Sequence, residues 1–77
     1  MKKKFLEEVF TAYDENALCV SDFDIRHNGS RIDYLVKTED DDIEFWGGNP
    51  FEDKHAEQII ISDDEANKYL EEFEKLL

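Results

Sequence analysis

Glu39-Asp40-Asp41-Asp42, with Glu44 two residues on, places five carboxylates in six positions. Carboxylate oxygens can chelate hard cations, move protons or meet a cationic surface. An EF-hand calcium loop needs Gly at its sixth position for the sharp turn and a bidentate Glu at its twelfth; counting from Asp40 gives Phe45 and Phe51. Proton chemistry needs carboxylates enclosed in a pocket, which a 77-residue chain can hardly build. Cys19, His27 and His55 show no paired zinc spacing. Neither Cys19 nor any serine has a base at a recognisable offset, so nucleophilic catalysis has no candidate pair. The expectation is a non-enzymatic protein with no metal or cofactor, in which Cys19 is a small packing residue. Contact with a cationic surface is the chemistry left to the acidic run.

The charge distribution supports that choice. Formal net charge is -12, but residues 1 to 38 contribute only -1 of it, whereas residues 39 to 77 contribute -11. Direct binding to nucleic acid or to an anionic membrane is disfavoured, because phosphate contacts need cationic side chains that release counterions. A basic protein surface is the natural complement. Trp46, close to the acidic run, is a candidate anchor, since Trp is enriched among interface hot spots. Glu39, Asp40, Asp41, Asp42, Glu44 and Trp46, with Glu52, Asp53 and Glu57 further on, form the expected partner-binding set.

These residues need a scaffold, and its centre is predicted at Asn28-Gly29, a type I′ turn signal flanked by β-branched and aromatic runs. The turn sets His27 opposite Ser30, Ile25 opposite Ile32, Phe23 opposite Tyr34 and Ser21 opposite Val36, all on a core face. A four-residue loop at Glu39 to Asp42 would then pair Thr38 with Ile43, Lys37 with Glu44 and Val36 with Phe45. It would leave Leu35 and Trp46 on the outer face.

Phe5, Leu6, Val9, Phe10 and Tyr13 recur at helical spacing and predict an amphipathic helix over residues 3 to 15. Asn49-Pro50, after Gly47-Gly48, could open one helical turn through His55, and Ile59-Ile60-Ile61 reads as a short fourth strand on either edge of the sheet. Ser62-Asp63-Asp64-Glu65 is a capping box. It should start a final helix whose inner face is Ala66, Tyr69, Leu70, Phe73 and Leu77, with Asp64–Lys68 and Glu71–Lys75 pairs outside. The expected whole is one small acidic α+β domain over residues 1 to 77. It comprises an N-terminal helix, a three-stranded antiparallel meander with a short fourth strand, and a C-terminal helix, with both helices on one face of the sheet.

The single cysteine cannot form an internal disulfide, and Glu7 and Glu8 interrupt the apolar stretch that a secretory leader would need after Lys2-Lys3-Lys4. No stretch approaches the roughly 18 apolar residues of a membrane span. A reduced, cytoplasmic protein is therefore expected.

In size, in helix-meander-helix order and in the acidic loop of Glu39 to Asp42, the chain resembles the small acidic phage proteins that inhibit host defence nucleases, including anti-CRISPR proteins that imitate DNA. The resemblance implies a stoichiometric inhibitor acting in the host-cell cytoplasm, with carboxylates placed where phosphates would lie in a cationic channel. Two alternatives are a structural or regulatory subunit, as a homodimer through the outer sheet face, and an immunity-type neutraliser of a toxin.

Overall fold

Asn28 and Gly29 both take positive φ, 51° and 85°, and between them they close a two-stranded ribbon. A computed structural model describes residues 16–40 and 42–77, and the helix expected over residues 3 to 15 lies outside them. Asn tolerates the left-handed region and Gly has no Cβ to oppose it, so the local chemistry fixes the turn. Its strands, β1 (Arg26–His27) and β2 (Ser30–Arg31), pair as expected, His27 with Ser30 and Arg26 with Arg31. The Ile32 amide donates to the Ile25 carbonyl at 2.8 Å, which extends the register by one step.

There the expected register ends. β3 (Ala17–Cys19) meets β4 (Tyr34–Lys37) with Leu18 opposite Leu35 and Cys19 opposite Tyr34, and the Val20 amide bonds the Asp33 carbonyl at 2.8 Å. In the chain, β3 precedes β1. Residues 21–24 are therefore looped out. Ser21–Phe23 forms a 3₁₀ turn that ends at Asp24 with φ 52°, a conformation that a short polar side chain tolerates. The expected Phe23–Tyr34 and Ser21–Val36 pairs do not form. Looping out instead lets Phe23 turn inward against Phe73, ring centroids 6.1 Å apart.

A one-residue slip separates the second hairpin from its expected register. In β5 (Ile43–Gly47), Ile43 faces Lys37, Glu44 faces Val36, Phe45 faces Leu35 and Trp46 faces Tyr34. The Thr38 amide bonds the Asp42 carbonyl at 2.9 Å and the Asp42 amide bonds Thr38 Oγ1 at 3.1 Å, so Thr38 and Asp42 close the loop and shorten it by one residue. Because side chains alternate across a strand, the slip exchanges faces: Leu35 enters the core at 0% exposure, and Val36 moves to the other side with Trp46. The slip also aligns Leu18, Leu35, Phe45 and Ile59 as one apolar row across the sheet.

β6 (Glu57–Ile59) adds beside β5 with Ile59 opposite Phe45. It begins two residues earlier than expected; Ile61 still packs on the core, while Ile60 is 78% exposed. In the connection before it, the Asn49 side chain caps the Phe51 amide at 3.0 Å and the Asn49 carbonyl takes the Asp53 amide at 2.8 Å. That single turn stops there, short of His55, because Asp53 accepts the His55 amide at 2.9 Å and redirects the chain. Gly48, at φ 129°, lies where an added Cβ would sit 3.0 Å from Ala56 Cβ.

Ser62 caps α1 (Asp63–Leu76), its Oγ accepting the Glu65 amide at 3.4 Å. The Glu65 carboxylate receives the Ser62 hydroxyl at 3.2 Å, where a capping box would have it receive the Ser62 amide. Leu70 and Phe73 are buried and Ala66 and Tyr69 pack beside them, but Leu77 is 47% exposed and is not on the packing face. Arg26 pairs with Asp24 and Arg31 with Asp33, and His27 Nδ1 stands 3.6 Å from a Glu65 oxygen; among the described residues, the expected Asp64–Lys68 and Glu71–Lys75 pairs are not seen. The architecture thus corrects the expected one. A four-stranded antiparallel sheet in order β3-β4-β5-β6 and a separate β1-β2 ribbon carry, among the described residues, one helix. The core is Val20, Ile32, Leu35, Phe45, Leu70 and Phe73.

Two substitutions test this packing. Leu35→Ala should cost about 3 kcal/mol in urea denaturation, as a fully buried Leu does, whereas an outward-facing Leu35 would lose well under 1 kcal/mol. Gly29→Val has room for its side chain but not for its backbone angle, and should cost about 1 kcal/mol or more. An unchanged melting temperature would reject the turn.

Candidate functional site

The register of β5 and β6 determines what lies beside the acidic loop. With Ile59 opposite Phe45, three further residues bring the chain to Ser62 at the level of Asp42, so α1 starts at the end of the sheet that carries the loop. A groove of about 290 Å³ there is lined by Asp42, Ile43, Phe45, Asp63, Ala66 and Leu70. Asp42 and Asp63, from segments distant in sequence, share its rim. Glu39 and Asp40 are exposed in the loop, and Asp63, Asp64 and Glu65 are exposed in the first helical turn. There, carboxylates are favoured by the partial positive charge of the helix N-terminus. Asp41 lies outside the described residues.

Glu52, Asp53 and Glu57 are not part of this group. Glu57 pairs with Gly47 at the far end of β5, about 14 Å along the strand from Ile43 at roughly 3.4 Å per residue. Glu52 and Asp53 belong to the connection beyond that end. Glu44 and Trp46 share the sheet face opposite α1, where the Trp46 indole N–H donates to Glu44 at 3.1 Å. Trp46 is half-buried between Tyr34 and Gln58 on the neighbouring strands. The eight described residues of the expected partner-binding set therefore divide into an acidic end, a Glu44–Trp46 pair and a second acidic group. Asp63 and Asp64, expected in the helix cap and, for Asp64, in a pair with Lys68, join the first.

His27 has a structural role. It is 9% exposed, with Nδ1 3.0 Å from the Tyr69 hydroxyl and 3.6 Å from a Glu65 oxygen, and its ring meets Tyr69 edge-on. The Tyr69 hydroxyl also reaches the Arg26 carbonyl at 3.4 Å. The ribbon is thereby tied to α1.

Cys19 is exposed, which overturns its expected packing role. Its Sγ lies 3.2 Å from Ser21 Oγ, and hydrogen bonds from the Ser21 side chain and backbone pull the thiol below its ordinary pKa, aided by Tyr34. Tyr34 is pushed upward in turn, chiefly by its hydrogen bond to Cys19. The surrounding groove, about 380 Å³, includes Asn49 and Phe51, while both histidines line a different groove, so no imidazole base accompanies the thiol.

Among the described residues no cluster of three or more His, Cys, Asp or Glu is arranged to hold a metal ion, and no helix is long and apolar enough to cross a membrane. Comparison with known proteins yields no matching family model, no matching curated protein and no matching solved structure. The site is therefore assigned from this chain's own geometry.

Ser21→Ala should move the pH profile of Cys19 alkylation by iodoacetamide toward higher pH, because the main group holding the thiolate is gone. A superimposable profile would show that Ser21 does not set the thiol's acidity.

Proposed function

We propose that the acidic end of the sheet docks onto a basic surface of another protein and that the chain acts as a non-enzymatic inhibitor of a nucleic-acid-binding protein or defence nuclease. Its carboxylates would take positions that phosphates otherwise occupy, as in the small acidic phage inhibitors it resembles. One observation carries this reading: Asp42 of the loop and Asp63 of α1 line the same groove. Two acidic segments are thereby concentrated where a single solvated loop would have been enough for folding. Like charges gathered at one end repel one another, and a cationic partner turns that repulsion into attraction and steers encounter.

The test begins with a pull-down from the native host at low and high salt, followed by association kinetics with the basic protein recovered. Asp40→Asn/Asp63→Asn should slow association about three- to ten-fold at low salt, and the difference should shrink as salt screens the field. Glu52→Gln/Glu57→Gln removes the same formal charge at the other end of β5 and should change the rate much less. Equal slowing by both pairs would mean that total charge, and not the acidic end, governs binding. Duplex DNA should compete with the chain for its partner; a complex indifferent to DNA would remove the phosphate-mimic part of the proposal.

A further inference from the structure

The chain has only two arginines and two histidines. All four, Arg26, His27, Arg31 and His55, line one groove of about 660 Å³ between the β1-β2 ribbon and β6. The groove includes Gly47, at the opposite end of β5 from the acidic loop. In a chain of net charge -12, the side chains best suited to planar or switchable anion recognition have been gathered in one place. We propose that this groove binds a phosphate monoester on a small molecule, as a dianion bridging Arg26 and Arg31 with His55 beside it.

The two guanidinium side chains stand directly opposite each other across the ribbon. Like charges in that position disfavour pairing, and the fold tolerates them by giving each a carboxylate. Asp24 holds Arg26 at 3.0 Å, and Asp33 holds Arg31 through Nε. Among the described residues, the second contact leaves both terminal nitrogens of Arg31 for another acceptor. Arg26 Nη1 reaches the Gly29 carbonyl only at 3.5 Å, a contact that an anion can replace.

These internal carboxylates also define the ligand. A monocarboxylate offers each arginine no more than it already has, whereas a phosphate dianion presents three oxygens to two guanidinium forks at once. Asp33 and Glu57 in the lining repel a polyanion more than a single phosphoryl group, so a nucleic-acid backbone is the poorer fit. Asn28 and Ser30 add neutral donors, and His55 is exposed beside them. His27 forms only the rear wall, its Nδ1 being committed to Tyr69. The groove is within the size range of small-molecule sites.

The proposal is independent of the acidic end, and its test needs no protein partner. The full chain, ¹⁵N-labelled, is titrated with inorganic phosphate, adenosine monophosphate or acetate at constant ionic strength. Saturable shifts centred on Asn28, Ser30 and Arg31 are expected with both phosphates and not with acetate. Tighter binding of the nucleotide supports a phosphorylated small molecule, whereas equal affinities, acetate acting like phosphate, or non-saturating shifts would overturn the proposal. Arg31→Gln should weaken binding about tenfold, and Arg31→Lys should recover only part of it because the fork is lost. Lys75→Gln, on α1, and Asp40→Asn/Asp63→Asn should both bind phosphate at least as well as half the parent affinity. Weakening by Lys75→Gln equal to that by Arg31→Gln would reduce the effect to net charge and overturn the site.

Discussion

Everything described depends on one row of side chains. Leu18, Leu35, Phe45 and Ile59 stand side by side on four strands, and Leu70 and Phe73 of α1 belong to the same buried cluster. A domain this small buries a modest fraction of its surface, so its hydrophobic contribution must come from a few well-packed positions. Moving any strand by one residue would send its member of the row to the opposite face. The row thus fixes the three pairings of the sheet together. Through them it sets the closure of the acidic loop by Thr38, the level at which α1 begins, and the separation of the two ends of β5.

That dependence explains what the sequence revealed and what it concealed. Asn28-Gly29 was legible because positive φ is a local demand with few chemical solutions. Ser62-Asp63-Asp64-Glu65 was legible as a helix start for a similar reason, although the Glu65 side chain found the Ser62 hydroxyl and not its amide. Residues 21–24 were not legible: Ser21, Phe23 and Ile25 alternate with polar residues as a strand would, and only the burial of Phe23 against Phe73 favours a 3₁₀ turn. The loop closure at Thr38 was hidden too, because the register that places Leu35 opposite Phe45 is settled by Leu18 and Ile59 on strands remote in sequence.

The candidate site was legible to the same extent. Glu39 to Asp42 announced themselves by density alone. Their association with Asp63 could not be read locally, since it follows from the β5–β6 register and the three residues that connect Ile59 to Ser62. Grouping Glu52, Asp53 and Glu57 with the loop treated charge as a property of the linear chain, and an antiparallel strand placed them at the other end. The scarcity of arginine and histidine was visible in the composition, but their convergence depends on the ribbon folding back toward β6.

The row also has a cost at its margin. β6, the last strand of the sheet among the described residues, pairs over only three residues, and just past it Ile60 stands 78% exposed between Ile59 and Ile61. Among the described residues no strand covers that edge, and apolar β-branched residues beside an open edge favour strand addition. Glu57 at the head of the strand places like charge on two such edges, and like charges oppose their approach. As pH falls toward the isoelectric point near 4.3, that repulsion fades while the isoleucine edge remains.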